Sequence, residues 1–326
     1  MHEQFYKSLF RIRRVEEEIA RIYPTDKLKS PVHLSIGQEA VSVAVCEALR
    51  PEDVCFGTYR SHAMYLAKGG DINGMVAEMY GKQTGCTKGK GGSMHLVDTK
   101  AGVMGTSAVV GTTIANAVGY AYAMKLQRKK VVTTVFFGDG ATEEGVFPES
   151  LNFAVLKNLP VLFVCENNGY AIHTSQAKRQ GHPHITERAK AAGVQSSCVE
   201  NNDCLELHSQ VKSAVEAMRA GTCGPRFFEC KTYRWKEHVG PNEDFGLGYR
   251  TPSEAKRWIE NDQVTKIAAL VPEATRKAIE AEVEAEVKAA FEFAEASPFP
   301  DVSELMTDIF HTPHAATPSE AVRKAA

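Results

Sequence analysis

The sequence predicts an α/β protein, a parallel sheet flanked by helices, and three observations carry that prediction. Two short apolar runs, Val131–Phe137 and Val161–Cys165, are bounded by Gly, Pro and Asn. Runs of this length and composition read as strands buried on both faces of a parallel sheet. Between them, Phe147, Leu151, Ala154 and Val155 recur at helical steps over Phe147–Lys157, an apolar stripe on a crossover helix. The third observation is what stands at the two strand ends: Gly138-Asp139-Gly140 and Glu166-Asn167-Asn168-Gly169-Tyr170. A right-handed βαβ crossover brings both carboxyl ends to one sheet edge, where open α/β sheets bind ligands.

Composition bounds the answer. The chain has 326 residues, 43% apolar and 24% charged, ordinary values for a globular protein. A net charge of −2 gives no reason to expect nucleic acid or a membrane surface as partner. No run is long and apolar enough to span a bilayer. The first residues, MHEQFYKSLFRIRRVEEE, lack a signal core and are too acidic for a transit peptide, so a cytoplasmic location is expected. The eight Cys form no CxxC and no zinc spacing, which suits free thiols in a reducing compartment. With no repeat or linker in view, residues 1–312 are expected to form a single domain. The small, polar stretch 313–326 is expected to be a disordered tail.

Taken in order, residues 3–23 carry Phe5, Leu9, Ile12, Val15, Ile19 and Ile22 at helical steps, and Pro24 ends the run. A second helix is expected over Gln38–Leu49, stopped by Pro51. Val54–Tyr59 reads as a strand leading into Arg60. A guanidinium at a strand end suits a diphosphate oxygen, because its fork donates two hydrogen bonds; from residue type alone, a solvated loop arginine explains it equally well. The stretch Gly81–Gly92 is rich in Gly and Lys but matches neither nucleotide-loop pattern, so a flexible lid is expected. Small residues fill Ala101–Gly119 and permit close backbone approach. Beyond the central unit, Gln176–Lys190 reads as a polar, mobile loop. Val194–Val199 and Arg226–Thr232 read as strands, Cys204–Ala220 and Thr275–Glu295 as helices. Glu200-Asn201-Asn202 imitates the asparagine pair, but no Asp-bearing strand end precedes it at the same separation.

The two central strand ends converge on one chemistry. Asp139 offers a carboxylate, Asn168 a side-chain carbonyl and Tyr170 a backbone carbonyl. These are hard oxygen donors, suited to Mg²⁺ or Ca²⁺ and not to Zn²⁺. Three protein oxygens leave the other positions of an octahedral ion to phosphates and water. Gly140 admits those phosphates close to the backbone.

The separation of Gly138-Asp139-Gly140 from Asn167-Asn168 by 26 residues, 141–166, resembles the thiamine diphosphate motif. The surrounding GDGATEEGVFPESLNFA and CENNGYAI, with GQEA, Tyr59-Arg60 and GGSMH upstream, resemble the α subunit of the decarboxylating component of 2-oxoacid dehydrogenase complexes. Pyruvate, branched-chain 2-oxoacid and acetoin dehydrogenases are its members, and the likeness runs from Phe5 to Phe310. It implies the transketolase-like pyrophosphate-binding fold, thiamine diphosphate and Mg²⁺ as cofactors, and an oxidoreductase acting on an oxo group with a disulfide acceptor. Asp139, Asn168 and Tyr170 would then hold Mg²⁺. Tyr59, Arg60, Ala108, Val110, Asp139, Gly140, Ala141, Asn168, Tyr170 and His238 would hold the cofactor. The family often has Gly where Ala108 stands. His33, His95 and His238 become candidates for steering protons or stabilising a substrate carboxylate, since an unperturbed imidazole titrates near neutrality. Where many relatives have His-Gly-His-Ser, this chain has Lys236-Glu237-His238-Val239, so the serine that some relatives phosphorylate is absent. The activating Glu of this family comes from a β subunit, which implies an α₂β₂ heterotetramer, a small 2-oxoacid substrate and a lipoyl-bearing acyltransferase partner. A non-oxidative carboligase or transketolase-like subunit is the alternative enzyme, and a catalytically silent scaffold the alternative of another class.

Overall fold

The computed structural model describes residues 1–308; the expected tail, 313–326, lies outside them. The chain opens with α1 (His2–Ile22), α2 (Glu39–Cys46), β1 (Val54–Thr58), α3 (His62–Ala67) and α4 (Ile72–Met79). Next come β2 (Val103–Ser107), α5 (Thr112–Leu126), β3 (Thr133–Gly138), α6 (Val146–Leu156) and β4 (Val161–Asn167). A short hairpin, β5 (Tyr170–Ala171) and β6 (Thr174–Ser175), leads to α7 (Ile185–Ala191), β7 (Gln195–Val199), α8 (Cys204–Ala220) and β8 (Arg226–Lys231). Helices α9 (Pro252–Glu260), α10 (Gln263–Ala268) and α11 (Glu273–Ala296) follow.

Six strands form one sheet in the order β2-β1-β3-β4-β8-β7, and every neighbouring pair is parallel. Side chains alternate across it, as the pleat requires. Phe136, Leu162, Val164 and Phe228 enter one apolar cluster with α1, α2 and α11. Val135, Phe137, Phe163 and Phe227 enter the other with α5 and α6. Both faces are therefore dry, the reason the strands read as continuous apolar runs. From β1 the chain steps out to β2 and then returns to lay β3 on the other side of β1. That reversal opens a crevice between the carboxyl ends of β1 and β3, the usual ligand position in such sheets.

Two sequence expectations need correction, and one further stretch gains a strand the sequence did not predict. The small-residue stretch contains an edge strand, β2, whose Gly105 and mixed burial weaken any alternating pattern. The polar stretch 176–190 is not all loop: α7 buries Ile185, Thr186 and Ala189. The Gly- and Lys-rich loop is not a loose lid. Glu78, fully buried at the end of α4, accepts backbone N–H bonds from Thr87 (2.8 Å), Gly89 (2.9 Å), Gly91 (2.7 Å) and Gly92 (3.0 Å). Lys82 Nζ ties the same loop to Ser297 O at 2.8 Å. Gly89, at φ +77°, lies so close to Gly81 that a Cβ would come within 2.7 Å of its carbonyl. The loop's glycines let the backbone wrap an internal carboxylate.

Candidate active site

The crevice holds a cavity of about 460 Å³. Its wall includes His33, Tyr59, Arg60, Ala108, Val110, Asp139, Gly140, Ala141, Asn168, Tyr170 and His238. Those are all the sequence-derived site residues except His95. That histidine follows a short turn, Gly92–Met94, which sends Met94 and not His95 to the wall.

Distant segments meet here because a loop is zipped onto the strand-like stretch before α2. Trp235 N bonds Ile36 O at 3.0 Å, and Gly240 N bonds Val32 O at 2.9 Å. Gly37, at φ +94°, makes room: a Cβ there would come within 2.4 Å of the Trp235 ring and of Tyr233 O. The pairing sets His33 against His238, with ring centroids 5.1 Å apart. Tyr59 packs on both, at 4.4 Å and 5.6 Å. Arg60 clips the two segments together, donating from Nη1 to Leu34 O (2.7 Å) and from Nη2 to His238 O (2.9 Å).

The electrostatics divide the cavity. Burial, with the nearby Arg60 charge, pushes His33 down to about 2 and His238 down to about 3. Both imidazoles are neutral at physiological pH. They can exchange hydrogen bonds with a ligand but cannot supply the charge that a substrate carboxylate would need. His33 Nδ1 is buried with no hydrogen-bond partner. Arg60 is the permanent cation of this end. Burial, then the Arg234 charge, lowers it to about 10, which still leaves it protonated.

The opposite end is acidic. Asp139 is 1% exposed, and burial raises its carboxyl above the usual range while Arg179 pulls it back. Glu143 and Glu144 stand beside it on the wall. Asn168 is held by Gln38: its Nδ2 donates to Gln38 Oε1 at 2.9 Å, and its Oδ1 accepts Tyr170 N at 3.1 Å. That orientation turns the amide oxygen of Asn168, not its NH₂, toward the Tyr170 backbone.

Among the wall residues that sequence reasoning missed, two carry buried polar groups of note, Gln38 and Glu166. Gln38 belongs to the GQEA element, whose helix-start reading hid its buried amide. Glu166 opens the ENN stretch; burial pushes its carboxyl up to about 8 against the pull of Arg60, so it is largely protonated at pH 7. The asparagine pair at 201–202 stays off the wall, as expected from its missing Asp.

Comparison with known proteins agrees with this geometry. The family described as Dehydrogenase E1 component matches residues 7–303. The α subunit of acetoin:2,6-dichlorophenolindophenol oxidoreductase from Bacillus subtilis is 38% identical over 310 residues, 94% of this chain and 92% of the relative. The pyruvate dehydrogenase E1 component subunit alpha of Zymomonas mobilis is 36% identical, over 94% of this chain and 87% of its own. A chloroplastic rice subunit, pyruvate dehydrogenase E1 alpha-3, is 35% identical over 95% of this chain and 76% of its own. Matches of this extent run through both strand-end turns and the whole sheet that carries them, and on that ground the chain belongs to the dehydrogenase E1 component family.

Proposed function

We propose that this chain is the α subunit of a thiamine-diphosphate- and Mg²⁺-dependent 2-oxoacid dehydrogenase, cytoplasmic and active only with a β subunit in an α₂β₂ assembly. Thiamine-diphosphate-dependent oxidative decarboxylation is the chemistry of the family. The observation that carries the finer reading is the cavity wall itself, which holds a buried guanidinium, Arg60, together with Asp139, Asn168 and Tyr170. The residues fit the cofactor. Asp139, Glu143 and Glu144 set three carboxylates against one guanidinium, Arg179, a surplus of negative charge that a divalent cation would relieve. His33 Nδ1 is the orphaned polar atom a ligand would satisfy.

Asp139, Asn168 and Tyr170 would hold the metal, with Gly140 and Ala141 giving the diphosphate close backbone approach. Arg60 and Tyr59 would hold the diphosphate from β1, and Ala108 and Val110 would wall the ring. When bound, thiamine diphosphate supplies the nucleophilic carbon and the cationic ring that takes up electrons as CO₂ leaves. His33 and His238, both neutral, would hold or pass a proton at the reacting end. His95, off the wall, has no part in this reading. Residues 1–312 would act as a single cofactor-binding domain.

Val110 and Ile172 on the wall, and Val109 and Val239 beside wall residues, are 40–64% exposed. Apolar side chains at a cavity mouth suit a covering subunit, here the β chain, with a lipoyl-bearing acyltransferase as acyl acceptor. The test is turnover of a panel of 2-oxoacids with a dye electron acceptor, by the chain alone and with the β chain of its own host. Activity is expected only from the pair; steady turnover by the lone chain sinks the proposal.

A further inference from the structure

Asp139 already has a cationic partner, and it comes from the stretch read as a mobile loop. Arg179 donates from Nη2 to Asp139 Oδ2 and from Nη1 to Glu143 Oε1, while its Nε bonds Thr174 O at 3.0 Å. Gln180 adds weaker bonds from Nε2, to Asp139 O (3.3 Å), Thr142 Oγ1 (3.3 Å) and Glu143 Oε1 (2.9 Å). The grip of residues 176–180 on the 139–143 turn is thus polar. The strap that carries it is lightly anchored. Ile172, His173, Thr174, Ala177 and Lys178 are exposed, as are residues 181–184. The hairpin under the strap has two residues per strand. A segment with few buried apolar contacts opens at low free-energy cost.

We infer that Arg179 is a cation placeholder: in the cofactor-free chain its guanidinium neutralises Asp139, and it must leave that carboxylate before Mg²⁺ can bind. The inference rests on the reading of Asp139 as a metal ligand. Its logic is charge and space. A carboxylate 1% exposed is costly to leave unpaired, and the forked guanidinium bridges Asp139 and Glu143 at once. Yet the same oxygen cannot be enclosed by a guanidinium and coordinate a metal. Strap and metal therefore compete, and the apparent metal affinity is reduced by the fraction of molecules in which the latch is closed.

The experiment uses the full chain assembled with its β partner and stripped of cofactor. Mg²⁺ is titrated at fixed thiamine diphosphate by calorimetry, and association is followed by tryptophan fluorescence in stopped flow. Arg179→Gln should bind Mg²⁺ more tightly, by about 10-fold if the latch is closed in nine molecules of ten. The gain should lie in the association rate, with dissociation unchanged. Lys178→Gln removes the same charge from the neighbouring exposed residue and should change neither. Weaker binding or faster dissociation in Arg179→Gln would overturn the inference and make Arg179 a ligand of the cofactor. No change, or an equal gain in Lys178→Gln, would also overturn it. Failure of the unmodified assembly to bind Mg²⁺ with thiamine diphosphate is a different result, and it would remove the proposed function itself.

Discussion

Glu78 and Asp139 are two carboxylates buried to the same degree, 0% and 1% exposed, and they do opposite things. Glu78 is enclosed by four backbone N–H groups of one glycine-rich loop, donors that cannot leave without unfolding it. Asp139 faces a cavity, and its cationic partner is a side chain on an exposed strap. Burial alone therefore does not distinguish a carboxylate held by backbone from one held by a side-chain cation. A carboxylate satisfied by backbone is part of the scaffold, whereas one satisfied by a removable cation is a candidate metal ligand.

The sharpest way to break this comparison is to neutralise each carboxylate in turn. Asp139→Asn keeps the shape and removes the charge. It is expected to lower metal and cofactor affinity by at least about 100-fold, with unfolding free energy changed by only about 1 kcal/mol. Glu78→Gln should do the reverse. Its new NH₂ group would face two backbone N–H donors, and the loss of two buried charge-assisted bonds should cost about 3 kcal/mol in urea unfolding. Affinity per folded molecule should stay near normal. If the two variants lost stability alike and affinity alike, partner exchangeability would carry no information about role.

Arg60 lies between these extremes, because it both builds the wall and serves the cavity. Lysine at this position could keep the charge but reach only one of Leu34 O and His238 O. Arg60→Lys should therefore lose about 1.5 kcal/mol of stability and about 10-fold in cofactor affinity, a factor equivalent to about 1.4 kcal/mol. Loss of only one of the two would move Arg60 to one side of the comparison.

The legible parts of this molecule were those where one local signal suffices. The central βαβ unit was readable because strands dry on both faces must be continuously apolar, as Val161–Cys165 is. Asp139 and Asn168 were readable as sheet-edge residues because they follow directly on such runs, whereas a solvated loop explained Arg60 equally well. What failed needed a partner from elsewhere. The glycines of 81–92 advertise free N–H groups, but nothing in the loop says that Glu78 fills them. Gln38 gains its meaning only from Asn168, 130 residues away. Arg179 lay in a stretch read as a polar, mobile loop until the strap placed it on Asp139. His95 shares a segment with a wall residue, and a turn of one residue decides which side chain points in.

The smallest effect expected concerns His33, and its sign follows from the direction of its shift. Its folded-state value, about 2, lies below the ordinary histidine value near 6.5. As pH falls through 6.5, the unfolded chain takes up a proton that the folded chain refuses, so unfolding is favoured. The stability that depends on a neutral His33 is thus fully present above about pH 6.5 and is lost progressively toward pH 2. Between pH 6.5 and 5.5 His33 should account for about 1 kcal/mol of the loss read from urea unfolding at each pH, and His238, lowered to about 3, for about as much again. His33→Asn should remove about half of that slope and leave the share of His238. A His33→Asn profile as steep as the original would mean that a group other than His33 takes up the proton, and that the cavity wall does not hold His33 neutral.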